Sequence, residues 1–188
     1  PIVGGFSTEI AYGFGEVPDN TSKGHATSAA INYSADNLNV ALAYSDWSVR
    51  TDKVVVIPPD ITVVTTFAKR KDWFLAANYD LKIAKIFAGV TDTDNNGIKS
   101  NDYLIGARIP VDKHTFIVSY ITKDVRNASN MDANQIALGY TYSLSKRTNL
   151  YAAWGRIDND SASALTVGNN SETGSGDKAF NLGLRHMF

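Results

Sequence analysis

Asp92-Thr93-Asp94-Asn95-Asn96-Gly97 sets oxygen-bearing side chains at alternate positions ahead of a glycine, which is how an EF-hand loop begins to wrap calcium. Asp92, Asp94 and Asn96 are the candidate ligands. The twelfth position is Tyr103, which offers no bidentate carboxylate, so a solvated acidic loop is the better reading. General acid–base or nucleophilic chemistry would need a histidine beside a nucleophile or an acid, and the chain has three histidines. His114 falls in a predicted turn and His186 on the apolar side of a predicted strand. His25, close in sequence to Thr27 and Ser28, is the remaining candidate for a hydrolytic centre, and a solvated loop histidine accounts for it better. There is no serine elbow, phosphate-cradling glycine loop or zinc spacing. Cysteine is absent, which removes disulfides and thiolate metal sites. The sequence therefore predicts no enzyme and no cofactor, and a net charge of -1 gives no electrostatic basis for nucleic-acid binding.

The remaining charges acquire meaning only once each is assigned to a side of the backbone. Clusters of Gly, Asn and Asp divide the chain into segments of about ten residues with period-two alternation. These predict ten strands, near 5–15, 25–34, 38–49, 71–79, 83–91, 103–111, 115–124, 134–144, 148–157 and 178–188. At 188 residues the chain reads as one all-β domain, residues 1–188. No run approaches the roughly 18 apolar residues of a membrane helix, so a bilayer could be crossed only by strands. PIVGGFSTEIAYGFG, at the start, lacks the basic and apolar segments of a signal peptide.

The connections sort by length. Ala35-Asp36-Asn37, Asp80-Leu81-Lys82, Asp112-Lys113-His114 and Ser145-Lys146-Arg147 are tight turns, and every connection between them is predicted to be longer. Short turns at one rim and long loops at the other describe an antiparallel outer-membrane barrel. VVVIPPDITVVTTF, residues 54–67, reads as two β-branched runs forming a hairpin around Pro58-Pro59-Asp60 that projects past the rim. Aromatic residues gather at strand ends: Phe14, Trp73, Tyr103, Tyr120, Trp154 and Phe180 toward the loops, and Tyr33, Tyr79, Phe116 and Phe188 toward the turns. Two such belts suit the two bilayer interfaces, although sandwich packing also places aromatics at strand ends.

With the apolar parity set against lipid, Arg70, Lys85, Arg108, Lys123 and Arg185 point inward, with the acids Glu9 and Asp72. An inward set that is basic on balance would concentrate anions in a wet passage. Acids on strands outside this chain could equally cancel Arg108 and Arg185, and Lys123 at a strand end could be fully solvated. Arg156 shares the parity of Trp154 and faces outward near the loop rim, where it could meet lipopolysaccharide.

IALGYTYSLSKRTNLYAAWGRID and the terminal AFNLGLRHMF resemble the end of a trimeric, sixteen-stranded Gram-negative general porin. GYTYSLSKRT, a strand with tyrosines on one face followed by a basic turn, is the most specific part. The resemblance implies that Phe180, Leu182, Leu184, His186 and Phe188 form a closing strand read by the barrel-assembly machinery; His186 stands where many such proteins carry Tyr. It further implies homotrimers, contact with outer-membrane lipid, and passive diffusion of small hydrophilic solutes with a mild preference for anions such as phosphate or small dicarboxylates. Ten strands would leave little room for water where sixteen leave a channel, so the chain is expected to be the C-terminal portion of a larger barrel. The alternative function is a small scaffold barrel that sheathes or anchors a partner without conducting.

Overall fold

The computed structural model describes residues 3–15, 23–57, 60–126, 129–167 and 176–188. Ten strands form one antiparallel sheet in which each pairs with its sequence neighbours. They are β1 (Phe6–Gly13), β2 (Ala26–Ala35), β3 (Leu38–Ile57), β4 (Asp60–Asp80), β5 (Lys85–Asn95), β6 (Ile98–Val111), β7 (His114–Val125), β8 (Ala133–Ser143), β9 (Thr148–Asn159) and β10 (Lys178–His186). β1 and β10 are the edges of the sheet.

Register fixes the faces, because residues directly opposite one another point the same way. Leu138 lies opposite Val118 and Trp154, and Tyr140 lies opposite Phe116 and Ala152. Trp154 in turn lies opposite Phe180, and Ala152 opposite Leu182. Followed across all ten strands, this parity yields one mainly apolar face and one face of mainly Ser, Thr, Asn, Gly, Ala and charged residues, on which a few large groups such as Trp47, Phe74, Phe87 and Leu104 also stand. The eight predicted belt aromatics that lie within strands, Tyr33, Trp73, Tyr79, Tyr103, Phe116, Tyr120, Trp154 and Phe180, share the apolar parity.

A second layer would bury one of these faces, and among the described residues there is none. Among the described residues no large side chain is fully buried, and the buried apolar ones are Val125, Ala133 and Ile157. Large apolar groups stand open on the apolar face, with Ile10 81% and Leu182 73% exposed. A sheet of this kind needs an apolar surrounding that it does not itself provide. The sandwich explanation of the strand-end aromatics fails for the same reason.

Three points of comparison with expectation concern the loop rim and its opposite. First, residues 54–67 form the expected hairpin, as the far end of a β3–β4 pairing that runs without interruption from Leu38↔Tyr79 to Ile57↔Asp60. At 20 and 21 residues these strands are about twice the 9–11 needed to cross hydrocarbon. Pro58 and Pro59, and the side chains of residues 49–65, lie outside the described residues. Secondly, the expected long connection after residue 91 is absent: β5 and β6 pair as far as Asn95↔Ile98. Asn96 and Gly97, with φ of 54° and 89°, make the type I′ turn that Asn-Gly favours because both central residues must be left-handed. Thirdly, His114 is not a turn residue but begins β7, its Nδ1 2.7 Å from the Tyr140 hydroxyl.

Candidate functional site

The polar face is the candidate site, and it is a property of alternation before it is one of tertiary packing. Arg70, Lys85, Arg108, Lys123, Arg185, Glu9 and Asp72 all carry its parity, and the cross-strand register puts all seven on that one face. The rim formed by the β2–β3, β4–β5, β6–β7 and β8–β9 connections is called the turn rim here, and the other the loop rim.

Toward the loop rim the charges are paired. Asp72 on β4 is a hub: Arg70 donates through Nε at 3.0 Å, Thr93 through Oγ1 at 2.7 Å, Trp47 through Nε1 at 3.2 Å and Ser45 through Oγ at 3.4 Å. Arg70 also lies over the Trp47 indole, 5.6 Å from the ring centroid. Farther round the sheet, Lys123 on β7 donates to Asp102 at 3.0 Å and to Ser100 at 3.1 Å, both on β6. The acid Asp102 was missed in the sequence because it lies one residue before the predicted strand at 103; β6 begins at Ile98 and carries it onto the polar face.

Toward the turn rim the arrangement is different. Lys85 lies directly opposite Arg108. Two like charges face one another, and among the described residues neither forms an ion pair. Asp80 shares their face opposite Lys85, another acid missed because it was read as a turn residue, but its carboxylate accepts the Lys82 backbone N–H at 2.7 Å. Arg185 makes no ion pair either; its guanidinium meets the Met187 sulfur at 3.8 Å. Counting these acids, the polar face is closer to neutral than the sequence suggested, and its positive charge is concentrated at one end.

The other candidates are dispersed. Asp92 and Asp94 alternate on β5 rather than wrapping a cavity: Asp92 accepts from Asn101 at 3.2 Å and Arg126 at 2.5 Å, and Asp94 accepts the Gly97 N–H at 2.8 Å. Asn96 is in the turn. Among the described residues no three His, Cys, Asp or Glu side chains come together as a metal cluster. His25 stacks on Tyr12 at 6.1 Å, and register assigns Ser28 to the opposite face from Thr27. His186 meets the Thr148 hydroxyl at 2.9 Å, and its ring stands edge-on to Phe188 at 4.9 Å. Phe180, Leu182 and Leu184 share its face. Arg156 has the apolar parity and is held by Asp158 at 2.5 Å.

Comparison with known proteins bears on what such a face does. Residues 1–162 match the family described as Gram-negative porin. The chain is similar to outer membrane porin protein 32 of Delftia acidovorans, with 27% identity over all of this chain and 54% of that protein. An anion-selective porin from Comamonas acidovorans superposes with a TM-score of 0.79 at 26% identity, covering 100% of this chain and 57% of the other. The trimer form of an outer membrane protein of Vibrio cholerae, OmpT, shares the fold at 15% identity, with a TM-score of 0.71 over 99% of this chain and 62% of its own. The chain thus spans little more than half the length of the proteins it matches.

Proposed function

The chain belongs to the Gram-negative porin family, and on that premise we propose that it forms part of the wall of a water-filled channel for small hydrophilic solutes in the bacterial outer membrane. The observation that carries this reading is a single unlayered sheet whose one face is apolar and open and whose other face carries most of the small, polar and paired charged side chains. Lipid and neighbouring subunits meet the first, and water the second. Backbone groups cannot remain unpaired in hydrocarbon, so β1 and β10 are completed by further strands of the same barrel.

A mild anion preference is the finer part of the proposal. The Lys85–Arg108 pair, without a bridging acid, gives one end of the face a surplus positive field, and low-dielectric walls strengthen it. The Comamonas acidovorans relative is itself described as anion-selective. Homotrimers, recognition of Phe180, Leu182, Leu184, His186 and Phe188 by the barrel-assembly machinery, and contact of the Arg156 rim with lipopolysaccharide belong to the same reading; trimer formation is described for the OmpT relative.

Planar bilayers under a KCl gradient test both levels. The whole barrel, with the strands that complete β1 and β10, should give discrete conductance steps and a reversal potential of the sign set by anions. Neutralising Lys85→Gln together with Arg108→Gln should lower the anion-to-cation permeability ratio about threefold in 0.1 M salt, and far less in 1 M, where the Debye length falls to about 3 Å. Inserted, folded protein without steps would favour the scaffold instead.

A further inference from the structure

The polar face carries large apolar side chains that a water-filled wall does not require. Phe74, Phe87, Leu104 and Ile121 border a concavity of about 670 Å³, with Gly89 and Ala76 among its lining residues and Asn78 at its edge. In register Gly89 lies opposite both Ala76 and Leu104, Phe87 opposite Asn78, and Phe74 opposite Thr91. The missing side chain of Gly89 therefore leaves a floor between two aromatic rings and a leucine. Phe74 and Leu104 remain 42% and 37% exposed there. Exposed apolar surface inside a polar lining is the signature of a ligand site more than of packing.

Charge lies at one side of this floor. Lys85 is the next same-face residue along β5 from Phe87, about 7 Å away by strand geometry, and Arg108 stands opposite Lys85. At the other side Lys123 is held by Asp102. Among the described residues the unpaired cations nearest the floor are thus at the turn side, with Lys85 four residues along β5 from Gly89, about 13 Å by strand geometry and a span its long side chain shortens.

Resting on the channel reading above, we propose that this concavity is a subsite for organic anions with a flat apolar body, of the aromatic carboxylate class. The ring lies on Gly89 between Phe74, Phe87 and Leu104, and the carboxylate reaches Lys85 and the guanidinium fork of Arg108. Inorganic phosphate or acetate engages only the two cations. The site consequently distinguishes anions by their apolar part, which a charged lining alone does not do.

The test uses the whole barrel, with the strands that complete β1 and β10, in planar bilayers with benzoate as probe and acetate as control. Benzoate should reduce chloride conductance saturably, and acetate at equal concentration should not. Gly89→Val fills the floor; its Cβ meets nothing nearer than 3.6 Å, with the Phe74 ring edge at 3.9 Å, and valine suits a strand. This variant and Phe87→Ala should each raise the half-blocking benzoate concentration about fivefold or more while leaving the KCl reversal potential unchanged. Equal effects of benzoate and acetate on anion-preferring wild-type channels would overturn the subsite and leave the porin reading intact. So would retention of full benzoate block in conducting Gly89→Val and Phe87→Ala channels, as expected if another chain segment permanently covers the floor. Wild-type protein without channels, or with cation-preferring ones, would instead remove the function on which the subsite rests.

Discussion

The two ends of the polar face use similar side chains to opposite effect. Near the loop rim Arg70 and Lys123 each have a carboxylate within 3.0 Å, and Asp72 also gathers Thr93, Trp47 and Ser45. Near the turn rim Lys85 faces Arg108 across the strand pair, with no acid bonded to either. A paired cation is nearly invisible at a distance, because its acid cancels its field within a few ångströms; an unpaired one acts as far as the Debye length permits, about 10 Å at 0.1 M salt. In the channel proposed above, selectivity is therefore a matter of where the acids sit and not of how many basic residues point inward; on that proposal the loop end serves rigidity and the turn end field.

The strongest way to break that contrast is to invert the turn end. Lys85→Glu with Arg108→Glu should reverse the sign of the zero-current potential in a KCl gradient, converting anion preference into cation preference; an unchanged sign would mean that other charges govern selectivity. A smaller effect, of a different kind, belongs to the loop end. Asp72→Ala strands Arg70, Thr93 and the Trp47 N–H together and should cost about 1–3 kcal/mol, read as a lower urea midpoint of the folded barrel. Lys85→Gln should leave that midpoint unmoved, since no hydrogen bond is lost. The smallest expected effect is the most discriminating. Removing Lys123 and Asp102 together, as Lys123→Gln with Asp102→Asn, should change the permeability ratio by less than about twofold, because a neutral pair is deleted as a unit. A drop as large as that of the Lys85 and Arg108 neutralisation would show that Lys123 contributes field after all.

Much of this architecture is legible without coordinates, for a local reason. Side-chain direction in a strand repeats every two residues, so Ile136, Leu138, Tyr140 and Tyr142 declare one face and Arg108 or Lys85 the other wherever the strand ends fall. Strand ends are the weak point. A boundary drawn at 103 hid Asp102, and one drawn at 91 made an external loop of Asp92–Asn95, because polar residues in an extended ribbon past the rim look like loop residues in sequence. The Asn96-Gly97 dipeptide was the available signal for a tight hairpin and was absorbed into a calcium-loop match instead.

The amino-acid sequence by itself determines that this is an all-β chain of ten strands with an apolar and a polar side, since alternation is a covalent consequence of the pleated backbone. Only the tertiary structure decides which charges neutralise one another. Arg70 and Asp72 are neighbours on one strand, but the Trp47, Thr93 and Asp102 that complete the loop-rim networks arrive through register between strands, and register decides equally that Lys85 meets Arg108 and that an empty floor at Gly89 opens beside them. A shift of one residue in any pairing would exchange the faces and leave none of these contacts.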